Sequence, residues 1–196
     1  MDAITNVATA AGLAWASGIR LYAVLFFTGI LGRLGYVQLP EALQVLQHPL
    51  VLGTTGVLFV VEFCADKIPA LDSVWDAVHT FIRIPGGALL AAYAIGSHDP
   101  AAMLAAGIVG GTLAAGTHFA KAGTRAAINT SPEPVTNWAA SITEDVVVFG
   151  GLLTAFFHST TFLVLLAFFV LLLIWLLPKV WRFVRGVLRR IGTVAV

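Results

Sequence analysis

Asp72, Asp76 and His79 stand at positions i, i+4 and i+7, and Arg83 follows one turn later. On a helix this spacing gathers all four on one face. His118, Lys121 and Arg125 repeat an i, i+3, i+7 pattern with cationic character, and Asn129 prolongs it. Glu62 and Asp66 lie four apart, while Asn137, Ser141, Glu144 and Asp145 cluster on one side of a later segment. Several chemistries fit these residue types. Carboxylates and imidazoles in an apolar chain can carry a small cation or protons, because imidazole ordinarily titrates near neutral pH. Lys121 and Arg125 could instead hold an anion. Asp72, Asp76 and His79 offer oxygen and imidazole donors to a divalent cation, the one cofactor the sequence suggests. The same charges could also simply neutralise one another: Glu62, Asp66, Glu144 and Asp145 against Arg20, Lys121 and Arg125, fixing helix register.

The elements that must position these groups are apolar helices. Of 196 residues 59% are hydrophobic and only 11% charged, against roughly 25% charged in an ordinary soluble domain. That balance excludes a soluble enzyme, a disordered chain and a nucleic-acid-binding module, so no nucleic-acid partner is expected. It implies a single all-α integral membrane domain over residues 1–196. No side chain between 159 and 178 is charged, about the length that crosses a ~30 Å hydrocarbon layer. Lys179, Arg182, Arg185, Arg189 and Arg190 follow at once, so residues 179–196 read as a basic cytoplasmic tail on anionic lipid. Further spans are expected at 19–34, 49–65, 85–95, 100–128 and 138–157, about six crossings in all, with both termini cytoplasmic. The first helix should be broken near Gly18, where glycines interrupt the apolar run. Residues 70–83 are too polar to span, and their apolar positions recur at helical spacing, so they read as an amphipathic interfacial or re-entrant helix. No cleavable signal peptide is expected, and the single Cys64 supports neither a disulfide nor a cysteine-based zinc site.

Residues 54–95 and 110–157 share a layout. In each, a helix led by Thr54-Thr55-Gly56 or Gly110-Gly111-Thr112 carries a polar residue before phenylalanine, Glu62-Phe63 or His118-Phe119. A polar stretch and a Gly-Gly pair, Gly86-Gly87 or Gly150-Gly151, then follow. This suggests two related membrane hairpins, parallel or inverted according to whether residues 70–83 add a crossing, and solute pathways often lie between such units. Between residues 60 and 146, eight acidic side chains face four basic ones. Each ionisable group at membrane depth costs at least ~2.5 kcal/mol and needs a partner or water.

Glu62-Phe63 with Asp66-Lys67-Ile68-Pro69, Asp72, Asp76, His79-Thr80, Arg83 and Gly86-Gly87 is one half of a recognisable set. The other half is His118, Lys121, Arg125, Asn129, Ser131-Pro132, Asn137, Ser141 and Glu144-Asp145. Together they resemble a family of small bacterial multi-pass membrane proteins catalogued only as a domain of unknown function (number four-one-two-six). The resemblance implies an inner-membrane protein and supplies no reaction. The functional expectation is a transporter or channel moving a small ion or polar solute through a charge-lined cleft. Its site residues would be Glu62, Asp66, Asp72, Asp76, His79, Arg83, His118, Lys121, Arg125, Asn137, Ser141, Glu144 and Asp145. Alternatives are a metal-dependent membrane enzyme, for which no nucleophile can be named, and a structural or lipid-interacting protein. Membrane lipids and a second copy of the chain are the expected partners.

Overall fold

A computed structural model describes residues 2–129 and 134–194, with side chains except at 69, 70, 134, 177, 178 and 180–194. Ser131, Pro132 and Glu133 and most of the basic tail therefore lie outside the described side chains. Six helices occur among the described residues: α1 (Ala3–Arg33), α2 (Pro49–Ala65), α3 (Pro69–Ala94), α4 (Pro100–Asn129), α5 (Pro134–Phe157) and α6 (Ser159–Val194). A 3-10 helix, Glu41–Gln47, precedes α2. Among the described residues four helices are long and apolar enough to cross a membrane, or five if Glu41–Gln47 and α2 form one bent span. That is fewer than the expected six. Residues Met1–Phe162 and Leu163–Val196 form two compact units. In the second, α6 continues without a break past Leu176, and the Lys179 ammonium lies 2.9 Å from the centre of the Trp175 ring.

The bundle of the first unit is ordered around α1. The Asp2 carboxylate caps its start by accepting from the Thr5 N–H at 2.7 Å. The expected break falls at Arg20, whose φ of −144° and ψ of 77° are not helical. Contacts fix what the break does. Asn6 packs against Gly96 in the turn between α3 and α4, and Thr5 meets Ser159 at the turn between α5 and α6. Beyond Arg20 the chain climbs back: Tyr22 meets His79, Phe26 packs on Phe59 and Gly56, and Gly29 abuts Leu46 and Leu52. Pro40, Glu41 and Ala42 then share a small cleft with Gly96, Ser97 and His98. Both ends of α1 thus lie at the Gly96 end of the bundle, and Arg20 stands at the bend of a helical hairpin. The element expected to re-enter, residues 70–83, is instead the first half of α3, continuous with 85–94 through Pro85. Proline removes only one helical N–H there, and the surrounding helix persists.

Because residues 70–83 and 85–94 form one continuous helix, the segments 54–95 and 110–157 each comprise two helices and run in the same sense. They are not hairpins, however. α2 and α3 diverge from the turn at 66–68, as do α4 and α5, and the most extensive helix pair is α3 with α4. Small residues permit that approach: a Cβ at Gly110 would strike Ala91, and one at Gly87 would strike Ala114 and Ser17. Trp15 is buried against Gly151 and edge-on to Phe162. The two glycines of the Gly150-Gly151 pair therefore differ. Gly151→Ala should destabilise by about 1–3 kcal/mol by driving a Cβ into the indole. Gly150→Ala, with nothing within 4 Å, should be neutral or stabilise by up to ~1 kcal/mol through helix propensity. Thermal unfolding of both purified variants checks the contrast.

The polarity of the bundle is inside-out. Val57, Val60, Leu104, Ile108, Val109 and Val146 are exposed on α2, α4 and α5. On α3 the apolar residues Leu71, Val74 and Val78 face outward, whereas Asp72, Asp76, His79 and Arg83 are buried. This all-helical arrangement, apolar outside and charged inside, is compatible with a membrane protein.

Candidate functional site

Five helices deliver charged side chains to the break in α1. The Arg20 guanidinium pairs with Asp66 at 2.5 Å and with Asp145 at 2.9 Å, and stands 3.6 Å from Glu144. It also donates to Ser141 Oγ at 2.9 Å and to the Ser141 carbonyl at 3.2 Å. Arg125 forms a two-pronged pair with Glu144, at 2.7 and 3.0 Å, and donates to the Asn137 carbonyl at 3.2 Å. Bidentate geometry of this kind both strengthens and orients the pair. On the other side, Arg83 bridges Glu62 and Asp76, each at 2.6 Å. Lys121 joins the two groups, 3.3 Å from Asp66, 3.5 Å from Asp76 and 3.4 Å from Glu144.

The imidazoles are held by assigned partners. His79 Nδ1 lies 2.8 Å from the Trp75 carbonyl, which can only accept, so Nδ1 carries the hydrogen. Its Nε2 is then free to accept from Tyr22 Oη at 3.2 Å. The Thr80 hydroxyl donates to the Asp76 carbonyl at 3.0 Å, which leaves its oxygen to accept from His118 Nε2 at 2.7 Å. His118 Nδ1 faces Arg83 at 3.4 Å. A continuous polar chain thus runs Glu62–Arg83–His118–Thr80.

Of the thirteen residues expected at the site, eleven converge on these contacts. His79 stands to one side with Tyr22 and Trp75. Asp72 also lies apart, accepting from Asn129 at 3.1 Å. Asp72 sits in the first turn of α3, outside the candidate spans, and desolvation pushes its carboxyl up to about 6. In the turn below, burial pulls the Lys67 ammonium below the usual lysine range, with the Arg20 charge acting in the same direction. Lys67 lies 2.9 Å from the Phe63 ring centre. Asp72, Asp76 and His79, proposed by spacing as metal ligands, turn to different partners: Asn129, the Arg83–Lys121 pair and Tyr22. Spacing places residues on a face but cannot aim their side chains.

The sequence reading treated Arg20 as a counter-ion, quoted Thr80 only within the family resemblance, and passed over Tyr22 and the Ile19 carbonyl. An arginine in the interior of a 31-residue apolar helix, two residues after Gly18, was the available signal. Near the cluster, a cleft of about 190 Å³ between α3 and α4 is lined by Asp76, Thr80, His118 and Arg125, with Ser73 and Phe119 at its rim. Five carboxylate oxygens, Glu62 Oε2, Asp66 Oδ1, Asp72 Oδ1, Asp76 Oδ2 and Asp145 Oδ1, are buried and accept no hydrogen bond among the described residues, although Asp145 Oδ1 is ion-paired with Arg20.

Residues 7–179 match the model of a family described as Domain of unknown function (DUF4126). No curated protein and no solved structure matches the chain.

Proposed function

The chain belongs to the DUF4126 family, and from that premise we propose that it is an integral protein of the inner (cytoplasmic) membrane that moves a small ion or polar solute. The observation that carries this reading is the convergence of nine charges, eight of them buried and Glu144 half-buried, on the break in α1. Arg20, Arg83, Lys121 and Arg125 meet Glu62, Asp66, Asp76, Glu144 and Asp145 there. Taking such groups out of water costs several kcal/mol per ion, and a well-packed apolar core of equal volume is often as stable. A discontinuous helix ending among ionisable groups, at the interface of packed helices, is the arrangement by which transport proteins hold ions away from water. In this reading the ion pairs are the closed state of the site. Passage exchanges some of them for contacts to the solute, which reaches the cluster by the cleft beside Asp76 and Thr80.

Reconstitution into proteoliposomes tests it. A panel of alkali, ammonium and halide ions and small polar solutes should include one that moves faster than in protein-free vesicles. Asp76→Asn should reduce that flux at least tenfold. If nothing in the panel moves above the protein-free rate, the transport reading is overturned.

The pairing of all four cations within the cluster favours a second reading, a bundle locked in register by its charges. On that reading Glu144→Gln lowers the melting temperature, and no solute moves.

A further inference from the structure

Lys121 differs from the three arginines of the cluster. Each arginine makes at least one contact of 2.7 Å or less to a carboxylate. The Lys121 ammonium makes none so short. It sits among four oxygens from four parts of the chain: the Ile19 carbonyl at 3.2 Å, Asp66 Oδ2 at 3.3 Å, Glu144 Oε2 at 3.4 Å and Asp76 Oδ1 at 3.5 Å. The Ile19 carbonyl closes the first arm of α1, where the helix dipole presents its negative end. This is a cation cage with a tethered ammonium inside it.

We infer that the cage is a binding site for a small monovalent cation of ammonium or potassium type, and that Lys121 occupies it as a built-in competitor. Three observations converge. First, five carboxylates stand against four cations, so the cluster keeps a formal charge of −1 with Lys121 in place. Second, Asp66 Oδ1 and Asp76 Oδ2, the oxygens of these two carboxylates turned away from the ammonium, are buried without a hydrogen-bond partner, so each carboxylate can still rotate a second oxygen toward a cation. Third, the cleft of about 190 Å³ between α3 and α4 reaches Asp76 and supplies an entry. The spacing selects the class of ion. Magnesium holds oxygens at about 2.0–2.1 Å and calcium at about 2.3–2.6 Å, far inside oxygens that stand 3.2–3.5 Å from the ammonium nitrogen. Each cage carboxylate is already shared with an arginine, so the charge left over suits one positive unit.

The inference rests on the transport reading and deepens it: the solute is a monovalent cation, and its entry requires Lys121 to withdraw. Binding can nevertheless be measured without transport. Lys121→Met keeps an unbranched side chain one atom shorter and leaves the cluster at −2. Lys121→Met with Asp145→Asn restores −1 without touching a cage oxygen, and guards against a variant too charged to fold. Both are purified in detergent, and melting temperatures are compared in potassium, ammonium, sodium and N-methylglucamine chloride at equal ionic strength. Potassium or ammonium should raise the melting temperature saturably, by at least 5 °C over N-methylglucamine. Adding Asp66→Asn to the double variant should abolish that rise.

Equal melting temperatures in all four salts overturn the inference. So does failure of both variants to fold in every salt, since an entering cation should replace the lost ammonium. Cation-specific stabilisation with no flux in wild-type proteoliposomes keeps the site and removes the transport reading. Flux without cation-specific stabilisation does the reverse.

Discussion

Replacing Arg20 with methionine is expected to cost about 3–5 kcal/mol, the usual penalty for removing one partner from a buried ion pair. In a chain of this size that is a fall in melting temperature on the order of 10 °C. The side chain is fully buried and serves Asp66, Asp145 and both the hydroxyl and carbonyl of Ser141. Its loss takes the cluster from a formal −1 to −2, removes the ion pair of Asp145, and leaves Asp66 only the longer contacts to Lys121 and Arg125. Arg20→Lys should recover only part of the loss. An ammonium gathers its three N–H groups at one point and cannot match the reach of the planar guanidinium, which meets Asp66, Asp145 and Ser141 through three different nitrogens. Thermal unfolding of the three proteins at equal ionic strength measures the effect. Stability of Arg20→Met within 1 kcal/mol of wild type would show that the cluster does not depend on the guanidinium.

Gly18→Ala should produce a loss of about 2–3 kcal/mol, large for one added methyl group. The added Cβ would collide with Thr117 Oγ1, the Ala114 carbonyl and the His118 backbone nitrogen. Two of these three are main-chain atoms of α4 and cannot rotate aside, so α1 and α4 must move apart. That separation also weakens the hydrogen bond from Thr117 to the Trp15 carbonyl, 2.9 Å in length, and the Lys121 contact to Ile19. Thr117→Ala in the same chain relieves one collision and leaves the carbonyl. The double variant should therefore be more stable than the sum of the single changes implies, by about 1 kcal/mol of coupling. Additive losses would mean that the two helices are not in close contact at Gly18.

How much of this was legible beforehand varied with the kind of signal. The Asp72/Asp76/His79/Arg83 spacing correctly gathered four residues on one helix face, because helical periodicity is a local property of the chain. It could not reveal that Arg83 folds back to bridge Asp76 and Glu62 while Asp72 turns to Asn129. Those choices depend on which neighbouring helix stands at each depth. Polar residues 70–83 read as an interfacial element because hydropathy assumes that a polar face seeks water. Here that face meets α1 and α4, and the charges are satisfied inside. The break near Gly18 was visible in composition, yet its consequence was not. A broken helix can continue across or turn back, and only the contacts of Asn6 with Gly96 and of Gly29 with Leu46 and Leu52 decide between them.

The sequence by itself determined the material of this protein: apolar helices, few charges, and those few concentrated at helical spacing between residues 60 and 146. Hydrophobicity and periodicity are read residue by residue, so they survive without a structure. Tertiary structure alone decided the rest. It made α1 a helical hairpin, set α3 against α4 instead of α2, and brought Arg20 to Asp66 across 46 positions of chain. The reason is that a buried charge takes whatever partner the packing brings within reach, and packing is a property of the whole bundle.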